Sequence, residues 1–293
     1  MTTAIARTYV APVTVDDVLA VLSEHPRRVV AGGTDLVVAA RSGKAPLPTD
    51  LLAIHRVGGL DALAASAEGL RIGALVTHAA LEASPEIRER YSALSDACAL
   101  IGSHATRSFG TLGGNICNAS PAAETPSPLI VLGAAAELRS SRGSREVPLG
   151  EIIVGPGRTI LNGDELLTEV RVPRPPGRSG SAYVRLEYRR AMEIAVVGAA
   201  AFVALADDGT IASARVSLTA VGPRPLPVDA VAERLSGAVP DPDALAAAAE
   251  LAVHAAQPID DIRGSSAYRG AMVPVMTRRA LERAVQRARS TQA

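Results

Sequence analysis

Hydrophobic positions in the first third of the chain come in short runs that switch between two periods. From Val15 to His25 apolar residues recur at helical spacing, with Asp16 and Asp17 in the first turn, where the helix dipole favours acids. Pro26 closes that helix, and Arg27–Ala31 predicts a short buried strand. Residues 32–35 read as a turn and Leu36–Arg41 as a short helix. Further strands are predicted at Leu51–Ile54 and Leu70–Ala74, followed by a helix near Thr77–Ser84. This alternation points to α/β construction. Tyr91–Ile101 is again helical, Ser103–Ser120 reads as loop, and Pro128–Ala135 predicts a short helix leading into a strand at 136–139. Leu166–Val172 alternates like a half-buried strand.

Pro173–Gly180, rich in Pro, Arg and Gly, is the clearest linker, and the character of the chain changes after it. Tyr183–Arg189, Val196–Leu205 and Ile211–Ala220 read as strands, the last two joined by the turn Asp207-Asp208-Gly209. Asp243–Ala256 and Pro274–Ala288 read as Ala-rich helices. A boundary is therefore expected near residue 175. No internal repeat is found.

The length of 293 residues suits two domains, or three small ones. A hydrophobic fraction of 48% with 20% charged residues is a globular balance and argues against a disordered chain. Thirty Lys and Arg against thirty Asp and Glu leave no net charge, so nothing suggests nucleic acid or an anionic membrane as partner. Aromatic residues are 2%, which leaves Ala, Val, Leu and Ile to fill the core. Two cysteines, Cys98 and Cys117, make neither a disulfide framework nor an iron–sulfur or zinc site, and no metal is expected on this chain. No apolar run is long enough to span a bilayer and none resembles a signal peptide, so a cytoplasmic protein is expected.

Two glycine segments carry the candidate chemistry. In Ala31-Gly32-Gly33-Thr34-Asp35-Leu36 a strand enters paired glycines just before a helix, where free N–H groups can hold a phosphate without Lys or Arg. The second, Ser108-Phe109-Gly110-Thr111-Leu112-Gly113-Gly114-Asn115, again concentrates glycines and small polar residues. Two such segments suit a diphosphate, hence a dinucleotide-type ligand; an ordinary glycine turn is the competing reading for each. No GxGxxG, P-loop, GxSxG or HExxH motif is present. Five scattered histidines read as surface or core residues, with His104 the one read as close to a glycine segment.

With AGGTDL at 31–36, IGSHATRSFGTLGGNICNASPAAE at 101–124, GDELLTEVRVP at 163–173, YRRAMEIAVVGAAAF at 188–202 and SSAYRGAMVPVMTRRAL at 265–281, the chain closely resembles the flavin-binding medium subunits of molybdenum hydroxylases, the carbon monoxide dehydrogenase and xanthine dehydrogenase family. The resemblance implies an α+β protein. It has a vanillyl-alcohol-oxidase-type (PCMH-like) FAD-binding fold in residues 1–175, with subdomains at about 1–57 and 58–175. A C-terminal domain over 176–293 then carries a three-stranded antiparallel sheet and helices. It implies FAD on this chain, and partner subunits carrying two [2Fe–2S] clusters and molybdopterin, arranged as a dimer of heterotrimers. Electrons would leave the flavin for an external acceptor.

Residue by residue, the resemblance puts Ala31, Gly32, Gly33, Thr34, Asp35 and Leu36 at the pyrophosphate or ribityl chain, and Thr111, Leu112, Gly113, Gly114 and Asn115 in a second phosphate loop. Ile101 and either Leu166 or Leu167 become apolar contacts. Glu124 stands where relatives usually have Asp and would accept from cofactor hydroxyls. Arg185 stands where some relatives have Lys near the flavin ring. No catalytic acid or base is expected. A free-standing flavin oxidoreductase of the same fold and a flavin-less assembly subunit are the alternatives.

Overall fold

The computed structural model describes residues 8–189 and 191–291. The chain first forms β1 (Thr8–Val10), α1 (Val15–Glu24), β2 (Arg28–Val30), α2 (Thr34–Arg41) and β3 (Asp50–Ala53), with the strands parallel in the order β1-β3-β2. Thr14 caps α1 by accepting from the Asp17 amide at 3.1 Å. The helix then buries Val18, Leu19 and Leu22 against Leu52 and Ile54, and Leu75 and Leu166 from the next unit close the same small core.

The middle unit opens with β4 (Leu63–Ala65) and β5 (Gly69–Gly73). Six short helices follow: α3 (His78–Ala83), α4 (Pro85–Arg90), α5 (Ser92–Leu100), α6 (His104–Phe109), α7 (Leu112–Asn118) and α8 (Pro126–Val131). Next come β6 (Ala135–Ser140), β7 (Gly143–Pro148), α9 (Leu149–Ile152), the small hairpin β8 (Ile153–Gly155) and β9 (Arg158–Thr159), and β10 (Leu166–Pro173). The main sheet is antiparallel in the order β4-β5-β10-β6-β7, so the alternating 166–172 segment becomes the central strand. Its inward residues pack on Leu94, Ala97, Leu112 and Ile116 from the helices.

The last unit is built on β11 (Ser179–Leu186), β12 (Val197–Leu205), β13 (Ile211–Thr219) and a two-residue edge, β14 (Leu226–Pro227), followed by α10 (Asp229–Leu235), α11 (Pro242–Glu250) and α12 (Ser266–Ser290). The three long strands are the expected ones. One face of this sheet buries Ala199, Ala201 and Val203 beneath α12. The other turns Tyr183, Ala200 and Phe202 into the core of the middle unit.

Four local expectations change. Residues 103–120 are not loop but α6 and α7, each started by a hydroxyl cap: Ser103 accepts from the Thr106 amide at 3.2 Å and Thr111 from the Gly114 amide at 3.1 Å. Helices of 6 and 7 residues are too short to print a helical period on the sequence. The predicted 173–180 linker shrinks, since β10 runs to Pro173 and β11 starts at Ser179. The helix predicted over 243–256 is α11 followed by a 3-10 turn at Leu251–Ala255. The last helix begins well before Pro274, which lies inside it; burial of Val273 and Met276 on the sheet offsets the lost backbone hydrogen bond.

Candidate cofactor site

The first glycine segment leaves β2 through Ala31 and enters α2 at Thr34. Gly33 (φ 68°) is the N-cap in the left-handed region that glycine adopts without strain. No side chain caps this helix. Among the described residues, the amides of Gly32, Gly33, Thr34, Asp35 and Leu36 donate to no protein acceptor; the first internal bond of α2 runs from Val37 to the Gly33 carbonyl at 3.0 Å. Five successive open N–H groups at the positive end of a helix dipole make an anion seat.

The second segment lies directly against the first. A Cβ added to Gly32 would overlap the backbone carbonyl of Phe109 and stand 3.2 Å from the Gly110 nitrogen. Gly32 is therefore required by close approach of two backbones. The amides beyond Thr111 are engaged, however: Leu112 to the Val76 carbonyl (3.0 Å), Gly113 to the Ala74 carbonyl (2.9 Å), Gly114 to Thr111 Oγ1 (3.1 Å) and Asn115 to the Thr111 carbonyl (2.9 Å). Gly113 serves packing, since a Cβ there would lie 2.7 Å from the Ala74 Cβ and 2.8 Å from its carbonyl. Asn115 accepts from the Thr125 hydroxyl at 2.7 Å through Oδ1, which ties the segment to Glu124 next door.

Beneath this second segment sits His78. Its amide donates to the Gly110 carbonyl at 3.0 Å, its ring carbon Cδ2 is 3.1 Å from where a Gly110 Cβ would be, and its Nδ1 faces Cys98 Sγ at 3.9 Å. Burial, assisted by the positive charge of Arg107, holds the ring neutral with its pKa lowered to about 4. His104 is thus not alone beside the glycines. Arg107, itself buried, binds Glu82 through Nε (2.7 Å), the Ile101 carbonyl through Nη1 (3.0 Å) and His104 Nδ1 through Nη2 (3.0 Å). It locks the whole 101–109 stretch. Nothing in the sequence marks Arg107 or His78, because the ion pair of Arg107 with Glu82 and the packing of His78 on Cys98 and Gly110 join residues 20 or more positions apart.

The remaining candidates separate. Ile101 ends α5, half-buried, beside Gly102 (φ 50°), whose carbonyl accepts from the Met192 amide at 3.2 Å. Leu166 and Leu167 are both buried, the first in the N-terminal core and the second in the middle one. Glu124 is buried where the middle unit meets the C-terminal sheet. Its carboxylate accepts from the Tyr183 hydroxyl and from Arg185 Nη1 (2.6 Å), and Arg185 Nε also reaches Glu187 (2.6 Å). Burial raises the Glu124 carboxyl pKa against the pull of Arg185, and burial beside that carboxylate drives the Tyr183 phenol far up. Burial opposes the Arg185 charge, but the flanking Glu124 and Glu187 overcome it and keep the guanidinium firmly protonated. Nothing in the sequence marks Tyr183 for this cluster, since Glu124 and Tyr183 lie 59 positions apart.

Burial lifts the Cys117 thiol to about 12 and Cys98 higher still, so neither offers a thiolate. Among the described residues no group of three or more His, Cys, Asp or Glu could hold a metal ion, and no helix is long and apolar enough to cross a membrane. The chemistry on offer is anion capture by backbone amides, with no acid–base pair at the seat. An FAD diphosphate fits it: the open amides can donate to an anion, and the Gly32 contact leaves no room for a side chain between the segments.

Comparison with known proteins follows the same lines. Residues 3–175 match the FAD-binding domain of molybdopterin dehydrogenases, and residues 182–284 match the CO dehydrogenase flavoprotein C-terminal domain. The 6-hydroxypseudooxynicotine dehydrogenase complex subunit alpha of Paenarthrobacter nicotinovorans is 34% identical, over 96% of this chain and 97% of that one. The carbon monoxide dehydrogenase medium chain of Afipia carboxidovorans is 33% identical over 96% and 98%. The solved carbon monoxide dehydrogenase of Hydrogenophaga pseudoflava that lacks the Mo-pyranopterin moiety superposes with a TM-score of 0.91 at 30% identity, covering 96% of this chain and 98% of that one. A chain matched by both domain models along almost its whole length, with open amides where a diphosphate would sit, belongs to the FAD-binding medium subunits of the carbon monoxide and xanthine dehydrogenase family, oxidoreductases of the molybdenum hydroxylase type.

Proposed function

We propose that this chain takes electrons from the [2Fe–2S] clusters of a small partner subunit and passes them to an external acceptor, while a large molybdopterin subunit oxidises the substrate. The reading places the assembly in the cytoplasm as a dimer of heterotrimers, with an FAD domain over 1–175 and the C-terminal domain beyond. The observation that carries it is the row of open amides from Gly32 to Leu36, pressed against Phe109. Those amides would hold the diphosphate, with the Thr111–Asn115 segment as the wall behind it. When bound, FAD supplies one- and two-electron exchange. The chain needs no general base for that role; the carboxylate within the seat is Asp35, whose pKa burial raises.

Arg185 is the fixed positive charge of the reading. It is locked between Glu124 and Glu187, so it keeps its position whatever the redox state of its surroundings. Glu124 is fully engaged by Tyr183 and Arg185, so its part is to orient Arg185 and join the two domains rather than to meet cofactor hydroxyls with a free oxygen.

The test is purification of the chain alone and in co-expression with its partners. A yellow protein with oxidised-flavin absorption, idle towards small substrates alone and reduced by substrate only in the complex, is the expected outcome. Turnover of a small substrate by the isolated chain would identify a free-standing oxidoreductase, and a colourless protein unable to take up FAD would identify an assembly subunit.

A further inference from the structure

The C-terminal sheet has an open stretch of edge on β11. Strand β11 lies at the margin of the sheet, and its register with β12 runs without a bulge from Ser179 to Leu186. The Leu186 carbonyl accepts from Val196 within the sheet, whereas the Ser181 carbonyl and the Tyr183 amide point away from it. By that parity the backbone N–H and C=O of Arg185 also point outward. At 181 and 183 the edge is buried and partly engaged: Ser92 and Arg287 donate to the Ser181 carbonyl (both 2.7 Å), and Asp96 accepts from the Tyr183 amide (3.1 Å). At Arg185 the backbone meets no such partner among the described residues.

Over that stretch opens a cleft of about 400 Å³, lined by Val184, Arg185, Met276, Arg279, Arg283 and Gln286, with Glu282 at its rim. Arg279 and Arg283 are exposed, one helical turn apart on α12. Such a like-charged pair destabilises a helix slightly. The other arginines of this helix have partners: Arg269 with Asp261, Arg278 with Glu282, Arg287 with Asp96, and Arg289 with the Pro240 carbonyl. Among the described residues Arg279 and Arg283 form neither an ion pair nor a hydrogen bond with the protein. The chain as a whole has zero net charge, so this local excess is not the overflow of a basic protein.

We infer that the edge of β11 at Arg185, together with Arg279 and Arg283, docks an extended acidic segment of the electron-delivering partner subunit. The segment would pair its backbone with Arg185 and set its carboxylates against the two guanidinium groups. The inference rests on the proposed role as an electron-transfer subunit. It also has a functional logic, since the side chain of Arg185 on the same strand is held by Glu124 in the interdomain cluster. A partner seated here would press on the strand that places that charge.

The test uses the co-expressed complex and the double variant Arg279→Glu/Arg283→Glu. Both residues are exposed and outside the flavin seat, so FAD content and thermal stability of the isolated chain should be unchanged. Affinity for the iron–sulfur subunit should fall at least tenfold. Wild-type binding should weaken steeply with salt, while binding by the variant should respond to salt much less. Hydrogen exchange should also show the Arg185 amide slowed on complex formation in the wild type. Unchanged affinity in the variant, an Arg185 amide equally exposed in the complex, or occupancy of the cleft by a second copy of this chain would overturn the inference. A wild-type chain that binds no iron–sulfur subunit, or holds no flavin, would instead defeat the electron-transfer reading on which it stands.

Discussion

The two glycine segments look alike as sequence and do opposite things as structure. Around Gly32 and Gly33 the backbone is left open, with amides that no group among the described residues satisfies. Around Gly113 and Gly114 every amide is engaged, and a side chain at 113 would meet Ala74, one at 114 the capping hydroxyl of Thr111. The first segment carries the open donors of an anion seat, while the second is the engaged wall against which it is set. Glycine density alone does not distinguish a ligand cradle from tight packing. What distinguishes them is whether the neighbouring N–H groups have somewhere to go.

This contrast is broken most severely at the contact between the segments. Gly32→Ala drives a methyl into the Phe109 carbonyl and separates the two. FAD affinity should fall by about a hundredfold or more, some 3 kcal/mol, as read by titration of the apoprotein. Retained affinity would mean that the two segments do not act together.

Next comes the pH dependence of the wall. The folded His78 pKa of about 4 lies below its ordinary 6.5, so above pH 6.5 neither folded nor unfolded chain carries that proton. As the pH falls from 6.5 towards 4 the unfolded chain takes it up and the folded one does not, which lowers stability by about 3 kcal/mol. Denaturant unfolding of His78→Gln should show a flatter slope across that window. Equal slopes would place the ring in contact with water.

Gly113→Ala should cost about 2 kcal/mol of stability, typical of an overpacked site. FAD affinity per folded molecule should change less than in the Gly32 variant; the reverse order would invert the assignment of the two segments. Smallest is Thr111→Val, which removes the cap on the Gly114 amide and should cost about 1 kcal/mol, measurable as a lowered unfolding midpoint with flavin still bound.

Much of the fold was legible because its elements carry strong periods. The helix Val15–Glu24 and the strands Leu166–Pro173, Val197–Leu205 and Ile211–Thr219 display their buried faces directly in the sequence. The short helices α6 and α7 were not, since their caps, Ser103 and Thr111, look like ordinary loop residues until the acceptor geometry is seen. The turn at Gly32 and Gly33 was legible in residue type alone, whereas the engaged state of the Leu112 and Gly113 amides depends on Val76 and Ala74 some 40 residues earlier in the chain. Glu124 illustrates the same limit. Its position suggested a cofactor contact, but its environment is set by Tyr183 and Arg185, about 60 residues away on a strand of another domain.

Amide hydrogen exchange on the FAD-loaded and flavin-stripped protein tests the central claim most directly. The amides from Gly32 to Leu36 should exchange freely in the stripped chain and become protected with FAD, while those from Leu112 to Asn115 stay protected in both. Unchanged exchange at 32–36 on flavin binding would contradict the account.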